Sequence, residues 1–460
     1  MFRRLKPLLL GGFIPFAVCL PAMGQDALPS TLSIEEAVGL AVRNSPRLVA
    51  ARGDARSASF GVSSARALVN PNAFFAPGIT SVSGTGEEFL IQQPLEINGV
   101  RSARAGIAHA GQREAEARSL STLRETVYAA QVAYYELACA REQVAVAGEA
   151  LTVAREFDRI ARRQVEEGVR PGIELAQTGL EISRSQVQFT SAEGREESAR
   201  AALNTVIGRD TGDAVGKLSP LIPAELPPAE TEPGTVAVPP VAPQLPAPSA
   251  PVAPAQPSDL STTTLLGRAV SSRAEIAGGT ASAQRFRAEA ALARAEGRPD
   301  IVPQFRVGYF TRGLEPASSG NGAGIGIAIT LPILDYGSRR NRVRQAEESA
   351  RAQDARVDGL RRDIEREAAQ SIARERAARR AVELYRADVL PQAKRLLDGS
   401  RIGFREGRTS VISLIEAGRS YRTVQSEYVN ALAEAALARA ELSRATGAVS
   451  PADFSERTNP

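Results

Sequence analysis

Side chains that perform acid–base or metal chemistry are scarce in this sequence. His109 is the only histidine, so neither a histidine-dependent catalytic triad nor a histidine cluster with metal-ligand spacing can form. Cys139 is a lone cysteine once an N-terminal export signal is removed, and its position in YYELACARE favours a small apolar residue on a helix face over a reactive thiol. We therefore predict that the protein is not an enzyme and uses neither a metal nor a cofactor.

Two glycine-containing stretches resemble nucleotide-binding loops without meeting their requirements. In GDAVGKLS (residues 212–219) the two glycines stand one residue too close together, and Leu218 occupies the place of the hydroxyl residue. In GNGAGIG (residues 320–326) a strand-like pattern follows where a helix is required. The net charge of +4 falls to +1 when the three cations of the signal segment are removed, so no nucleic-acid partner is predicted.

The first residues have the pattern of a secretory signal peptide. A basic start precedes an apolar run over residues 8–20, and small residues nearby suit cleavage after Gly24. Lipidation of Cys19 is the alternative, although Val18 is larger than the residue that normally precedes a lipidated cysteine. The sequence predicts an exported protein with a signal peptide at residues 1–24.

The mature chain contains one unit twice. Residues of the first unit recur in the second at a nearly constant offset of 228 to 239 positions. The matched pairs are Val42 and Val270, Pro71 and Pro299, Gly99 and Gly337, Gly168 and Gly407, and Gly208 and Gly447. Each unit has the predicted order of a helix, two strands and a long helical hairpin.

The two units are separated by a stretch rich in proline and alanine. Residues 226–257 contain too few large apolar side chains to form a core, so a semi-extended linker is predicted. After the signal, the sequence predicts a first repeat at residues 25–210, a linker at residues 211–258, a second repeat at residues 259–447 and a tail at residues 448–460.

Two long tracts have the composition of helices that pair along their length. They run from Val100 to about residue 163 and from Ser338 to about residue 399, with Pro391 as their only proline. Apolar side chains recur at steps of three and four residues, which predicts a coiled-coil seam. The predicted seam positions are Val382, Tyr385, Val389, Ala393, Leu396, Val424, Tyr428 and Leu432. Gly168 and Gly407 follow these tracts and predict left-handed bends that fold each pair of helices into a hairpin.

Each repeat also has two stretches of alternating apolar residues. In the second repeat, Ile325, Ile327 and Ile329 share one face of a strand and Gly326 lies on the other. Strands of about nine to eleven residues cross a bilayer at a tilt. No stretch after the signal suits a transmembrane helix, and four strands cannot close a barrel. The predicted fold is mostly α with a transmembrane β-barrel, formed by twelve strands in a homotrimer, and with long antiparallel coiled-coil helical hairpins.

The joints between strands and helices carry a resemblance to a known family. LPILDYGSRR (residues 331–340) is similar to the strand-to-helix joint of the TolC-like outer-membrane factor family, with Tyr336 in place of a glycine. EEGVRPGIELAQ and REGRTSVISLIEA resemble the two hairpin tips of that family. The resemblance extends from Ser33 to about Gly447 apart from the linker, and IQQPLEINGVRSAR (residues 91–104) is similar to its CzcC-like metal-efflux branch.

The family resemblance implies a passive exit duct in the outer membrane, with a periplasmic extension, in a Gram-negative-type bacterium. Its implied partners are a periplasmic adaptor, an inner-membrane RND or ABC transporter and outer-membrane lipid, and its cargo is small molecules or metal ions. Two alternatives remain: a duct for type I protein secretion, and a periplasmic coiled-coil scaffold without a barrel. The strands that end at a proline count against the scaffold.

The resemblance also implies residues for a pore constriction at the hairpin tips. By position relative to the tip glycines, Glu416 and Glu174 match acids of the family's narrow entrance. Ser413 stands where a second acid is common, and Thr409 stands where an arginine link is common, for which Arg408 is a substitute. The alternative is that both glutamates are solvated helix charges.

The same tips are predicted to bind the adaptor. Apolar residues recur there although a solvated turn needs none. The predicted contacts are Gly168, Val169 and Leu175 on the first hairpin and Gly407, Val411 and Leu414 on the second. For Leu175 and Leu414 an equal alternative is that they close the coiled-coil seam.

Overall fold

The structure is a computed structural model that describes residues 31–76, 85–168, 170–219, 262–311, 320–332 and 335–447. The predicted signal peptide with Cys19, the proline-rich stretch, the C-terminal tail and Val169 lie outside the described residues.

The first half contains four helices and four strands within the described ranges. They are β1 (Thr31–Leu32), α1 (Ile34–Asn44), α2 (Pro46–Arg66), β2 (Asn72–Ala76), β3 (Thr85–Gln92), α3 (Val100–Glu166), α4 (Ile173–Ile207) and β4 (Lys217–Leu218). At a rise of 1.5 Å per residue, α3 is about 100 Å long.

The second half repeats the order of the long elements. They are α5 (Thr262–Ser272), α6 (Ala274–Ala295), β5 (Asp300–Thr311), β6 (Gly320–Thr330), α7 (Ser338–Leu384), α8 (Leu390–Arg405) and α9 (Val411–Thr446). A single π-helical turn at Tyr385–Val389 joins α7 to α8.

Local sequence explains where several helices begin. The Ser33 hydroxyl accepts a hydrogen bond from the Glu36 N–H at 3.2 Å, and the Glu36 carboxylate accepts one from the Ser33 N–H at 2.9 Å, which forms a capping box before α1. The long helices α3 and α7 instead follow glycines with left-handed backbone, Gly99 at φ 92° and Gly337 at φ 85°. Such values favour glycine, so these two residues make the sharp turn from strand to helix possible.

The four longer strands form one antiparallel sheet in the order β2-β3-β5-β6. Phe305 pairs with Ile91 on β3 and with Ile325 on β6, so apolar side chains of three strands share one face. Ile325 and Ile327 are 89% and 69% exposed. The predicted strands and their alternation are confirmed, and in the described protomer the apolar face of β6 has no cover.

The long helices lie side by side in a layer with two open edges. Helix α3 packs on α4 and α9, and α9 packs on α8, so α4 and α8 are the edges. Nearer the sheet, α2 and α6 pack on the N-terminal half of α3, and α7 packs on α6 and α9. Within the described ranges, no helix has the length and hydropathy required to cross a bilayer.

Two apolar clusters hold these helices together. The larger lies where α1 packs on α3 and α4, and its fully buried members include Leu32, Leu137, Leu203 and Ile207. The second lies beneath the hairpin tips and consists of Phe157, Ala161, Leu397, Phe404, Val411, Leu414, Ile415 and Ala417. Each fully buried large aliphatic or aromatic side chain contributes about 1.5–3 kcal/mol relative to exposure.

The observed coiled-coil seam differs from the predicted one near the π-helical turn. Val382 and Ala393 are buried as predicted, but Leu396 is 53% exposed and Leu397 is 9% exposed. Leu397 follows Ala393 by four residues and takes the seam position, so the prediction for Val389, which lies in the π-helical turn, and for Leu396 is wrong. Pro391 gives a reason for the turn, because it cannot donate the backbone hydrogen bond that a regular α-helix requires there.

Most of the other seam positions are half-buried. Tyr385, Val424, Tyr428 and Leu432 have this intermediate exposure, while Val429 and Ala431 are buried. The most buried positions of α9 in this protomer are therefore neighbours of the predicted seam positions, on either side of them.

The first folded half also extends beyond its predicted boundary. Leu218 pairs with Leu32 in a short parallel ladder, and Val215 is buried in the larger cluster. The end of the predicted linker nearest the first repeat, up to Leu218, therefore packs on the helical body.

Candidate functional site: the hairpin tips

Both hairpins turn at a glycine with the same backbone geometry. Gly168 has φ 72° and Gly407 has φ 73°, which confirms the predicted left-handed bends. In each turn the next described N–H reaches back into the preceding helix: Arg170 N–H donates to the Gln164 carbonyl at 3.2 Å, and Arg408 N–H donates to the Gly403 carbonyl at 2.8 Å. These bonds satisfy carbonyls at the ends of α3 and α8.

The apolar residues of the second tip point into the protein. Val411 is 1% exposed and Leu414 is fully buried, and both pack in the cluster around Phe404. Leu175 is half-buried against the same cluster. The side chains of Val411 and Leu414 therefore have no free surface for an adaptor in this protomer. The packing of Leu175 and Leu414 matches the alternative, in which they close the seam.

Arg170 links the first tip to the second. Its guanidinium donates to the Thr409 carbonyl oxygen at 2.7 Å and lies 5.5 Å from the centre of the Phe404 ring. It also pairs with Glu174 at 3.4 Å on its own hairpin. Cation–π and charge-assisted contacts of this kind are strongest when they are partly buried, as here. Thr409 stands where an arginine link is common in the family. In this chain an arginine from the opposite hairpin, Arg170, contacts that position through its backbone carbonyl.

Glu174 is enclosed in this protomer. The residue is 7% exposed, and its Oε2 is buried without a hydrogen-bond partner among the described residues. Its other carboxylate oxygen pairs with Arg170. A buried charge requires such a partner, so Glu174 acts here as the anchor of Arg170.

The remaining predicted constriction residues lie on the surface of the second tip. The Arg408 guanidinium pairs with Glu406 of its own turn and is 72% exposed. Thr409 donates through Oγ1 to the Ser400 carbonyl at 3.3 Å, and Ser413 N–H donates to the Ser410 hydroxyl at 3.2 Å as part of the cap of α9. Among the described residues, none of these three side chains forms a hydrogen bond or ion pair with the first hairpin.

A second link between the hairpins lies about two turns from the tips. Glu181 on α4 accepts hydrogen bonds from Arg419 on α9 at 2.6 and 3.0 Å, and Arg422 lies 3.5 Å from its other oxygen. The hydrogen-bonded Glu181 carboxylate raises the pKa of Arg419. Arg419 also pairs at 2.9 Å with Glu416, whose side chain is 64% exposed. Glu416 is therefore a solvated carboxylate at the end of a buried ion-pair network.

Helix α4 has a polar seam and an apolar outer face near the tip. Its buried side chains here are Glu174, Thr178, Glu181 and Ser185. Thr178 donates to Asp158 on α3 at 2.7 Å. Burial raises the pKa of Asp158, but hydrogen bonds from Thr178 and Arg162 outweigh burial and lower it overall. The first hairpin is thus held to its neighbours by ion pairs and hydrogen bonds.

Sequence reasoning did not single out Arg170, Glu181 or Arg419. The only available signal was spacing, because Glu181 follows Glu174 by seven residues and Arg419 follows Glu416 by three.

The described residues hold no group of three or more His, Cys, Asp or Glu that could bind a metal ion. Burial raises the pKa of the Cys139 thiol, which disfavours its reactive thiolate form.

Comparisons with known proteins agree with this architecture. Residues 265–448 match the family model described as outer membrane efflux protein. The cobalt-zinc-cadmium resistance protein CzcC of Cupriavidus metallidurans is 23% identical over 445 residues, which cover 94% of this chain and 96% of CzcC.

Solved structures of outer-membrane channels share the fold. The outer-membrane channel OprN superposes with a TM-score of 0.70 and 18% identity, covering 90% of this chain and 89% of OprN. VceC of Vibrio cholerae superposes with a TM-score of 0.69 and 17% identity, covering 90% of this chain and 96% of VceC. The resemblance drawn from the strand-to-helix joints and the hairpin tips is confirmed: the second half of the chain matches the outer membrane efflux protein family, the whole chain is similar to CzcC, and its fold is that of outer-membrane channels.

Proposed function

We propose that this protein is the outer-membrane exit channel of a tripartite efflux pump. It works as a homotrimer whose strands form a twelve-stranded barrel, and it docks to a periplasmic adaptor and an inner-membrane RND or ABC transporter. The observation that carries the proposal is the open four-stranded sheet with an exposed apolar face, which continues directly into the long helical layer.

The sheet requires other copies of the chain if it lies in lipid. In the described protomer, β2 and β6 are edge strands, and each leaves backbone groups without a partner. An unsatisfied backbone group in hydrocarbon costs several kcal/mol, so an open sheet does not persist there. Three copies of four strands close a barrel and remove all edges.

The edges of the helical layer support the same assembly. The edge helix α4 exposes Ile173, Leu180 and Val187, which are 64%, 53% and 69% exposed and repeat every seven residues. On the opposite edge, exposed apolar residues continue along the π-helical turn and α8. They are Leu384, Val389, Leu396 and Ile402.

The two apolar edges match in height above the tips. Ile173, Leu180 and Val187 follow Gly168 by five, twelve and nineteen residues, and Ile402, Leu396 and Val389 precede Gly407 by five, eleven and eighteen. At 1.5 Å per residue these levels differ by no more than about 2 Å. Such edges suit a contact in which α8 of one protomer packs on α4 of the next. Repetition of this head-to-tail contact closes a ring.

The proposed cargo is a metal ion or another small molecule. CzcC, which is named as a cobalt-zinc-cadmium resistance protein, aligns with nearly the whole chain. This relative favours metal-ion efflux over the type I protein-secretion alternative. The proposed constriction lies at the hairpin tips, where threefold symmetry would gather three copies of Glu416 into a ring of like charges.

Cysteine cross-linking tests the assembly. In a Cys139→Ala background, the pair Leu180→Cys and Leu396→Cys should form disulfide-linked trimers in the membrane, because both positions lie at about the same level. The pair Leu180→Cys and Leu384→Cys is the matched control, since its positions differ by about 16 Å in height. Equal cross-linking of both pairs, or a monodisperse monomer by light scattering, would reject the proposed assembly.

Complementation tests the transport role. A strain that lacks this channel but retains its transporter and adaptor should become sensitive to the divalent metal ions that the pump exports. Expression of the intact chain should restore resistance. If resistance never depends on the channel while secretion of a protein substrate does, the secretion alternative replaces metal efflux.

A further inference from the structure

The joint between β6 and α7 contains a tyrosine in an unfavourable backbone conformation. Tyr336 has φ 47°, in the left-handed region that glycine adopts without penalty. The family's joint has a glycine at this place, so the tyrosine is a departure of this chain. The neighbouring Asp335 carboxylate accepts a hydrogen bond from the Gly337 N–H at 3.1 Å and holds the turn.

The Tyr336 side chain forms no hydrogen bond or ring contact with the described residues of the protomer, although backbone hydrogen bonds hold the turn. Its side chain is 94% exposed, which is the largest exposure among the exposed large hydrophobic side chains of the described residues. A polar or small residue would fit an aqueous turn with less strain. The ring therefore gains a favourable environment only from something outside the protomer.

The position of the ring indicates which environment that is. Leu331, immediately after β6, is 56% exposed and continues the apolar face of Ile327 and Ile329. From residue 338 onward the chain is the charged helix α7. Tyr336 thus lies where an apolar surface gives way to a charged one. Tyrosine is enriched at the boundary between hydrocarbon and lipid headgroups, because its ring is apolar and its hydroxyl is polar.

Two arginines follow the ring at steps of four residues. Arg340 and Arg344 are exposed, and neither has an ion-pair partner among the described residues. Their neighbours differ, since Arg339 pairs with Asp335 at 3.4 Å and Arg342 pairs with Glu296 at 2.7 Å. A spacing of four places Arg340 and Arg344 on one face of the first turns of α7. Unpaired arginines beside a membrane attract anionic headgroups and bind phosphate oxygens.

We propose that Tyr336, Arg340 and Arg344 form a phospholipid-binding site on the periplasmic leaflet of the outer membrane. The Tyr336 ring lies at the glycerol and upper acyl region, and the two guanidinium groups bind the headgroup phosphate of an anionic phospholipid. This inference rests on the proposed outer-membrane location of β6.

Single-tryptophan quenching tests the position of the ring. The chain has no tryptophan, so Tyr336→Trp introduces the only one. The trimer is reconstituted in vesicles with lipids brominated near the headgroup or deep in the acyl chain. Tyr336→Trp should be quenched several-fold more by the shallow bromine than by the deep one. Ile327→Trp should be quenched by both, and Ile412→Trp at the tip by neither.

The outcomes separate this inference from the proposed function. Quenching of Ile327→Trp without quenching of Tyr336→Trp would overturn the lipid site and leave the membrane location intact, and it would indicate that protein covers the ring. If Ile327→Trp is also unquenched, the proposed location of the strands fails.

Lipid-dependent stability tests the arginines. Addition of phosphatidylglycerol to the detergent-solubilised protein should raise Tm, and Arg340→Gln with Arg344→Gln should remove most of that rise. Arg362→Gln is the matched control, because Arg362 is an exposed arginine about 30 Å farther along α7. Inorganic phosphate at the same concentration should not reproduce the rise. An unchanged rise in the double variant, or an equal effect of free phosphate, would overturn the site.

Discussion

The two hairpins have the same turn but are held together by different forces. The second hairpin provides an apolar core, because Phe404, Val411 and Leu414 are buried beneath its tip. The first hairpin provides charges, because Arg170 and Glu181 reach across to the second. Helix α3 of the first hairpin shares the apolar cluster through Phe157 and Ala161, whereas α4 is held to the second hairpin by ion pairs.

This difference indicates how the tips separate. Ion pairs between hairpins can be exchanged for hydration, whereas exposure of a packed aromatic cluster has no comparable compensation. We therefore expect α4 of the first hairpin to move away from the second hairpin while the apolar cluster, which includes Phe157 of α3, stays intact. Substitutions in the two hairpins should have different consequences, which the following predictions rank by their expected effect on stability.

The largest effect is expected for Phe404→Ala. Phe404 is fully buried in the cluster beneath the tips, and such a truncation costs about 3–5 kcal/mol because it removes apolar contacts and leaves a cavity. Thermal unfolding in detergent, followed by circular dichroism, should show a clear fall in Tm. Phe60→Ala is the matched control, because Phe60 is 73% exposed. If both variants unfold at the wild-type temperature, the cluster does not stabilise the second hairpin.

The next effect is expected for Glu181→Gln. The substitution leaves Arg419 and Arg422 without their buried carboxylate partner, and a discount for the partly exposed arginines gives a cost of about 2 kcal/mol. The first hairpin should separate more often, so the basal conductance of the purified trimer in planar bilayers should rise. Glu193→Gln on the exposed face of α4 serves as control. A wild-type conductance with a lowered Tm would show that Glu181 stabilises the fold without restraining the tips.

The sequence was sufficient for features that depend on local patterns. The long helices follow from tracts with almost no proline, the strands from alternation, and the bends from Gly168 and Gly407, which adopt positive φ. The π-helical turn at Tyr385–Val389 was not predicted, because one additional residue in a helical repeat leaves the composition unchanged.

The contacts between hairpins depend on tertiary structure and could not be predicted from residue types. Arg170 binds the backbone carbonyl of Thr409, and every residue offers such a carbonyl. Val411 and Leu414 are predicted adaptor contacts, with closure of the seam as an equal alternative for Leu414, because apolar residues near a turn can face either side. Only the packing of α9 on α8 decides that they face inward.

A smaller effect on stability at each site, with a large effect on export, is expected for the tip glycines. A Cβ at Gly168 or Gly407 meets no atom within 4 Å, so a bulky residue such as valine costs, at each site, only the left-handed strain of about 1–2 kcal/mol. If the tips bind the adaptor, Gly168→Val with Gly407→Val should abolish export while the trimer persists in detergent.

The matched control for the tip glycines is Gly399→Val, which changes an α8 glycine whose Cβ position is also open. Export at the wild-type rate in the double tip variant would refute the docking role. Loss of the trimer would indicate a folding defect instead.

The smallest effect on stability is expected for Glu416→Gln, which separates charge selectivity from packing. Glu416 is 64% exposed and, among the described residues, its ion-pair partner is Arg419; an exposed ion pair contributes about 0–1 kcal/mol. The variant should therefore keep its Tm.

Three copies of Glu416 around the proposed pore would favour cations, so neutralisation should reduce cation selectivity and block by divalent ions from the periplasmic side. Single-channel recordings in planar bilayers measure both quantities, with Glu365→Gln on α7 as control. Because the buried Glu181 pair stays in place, basal conductance should not rise as it does in Glu181→Gln. If selectivity and block keep their wild-type values, Glu416 does not line the constriction, and the charged pore entrance must be sought at another level of the hairpins.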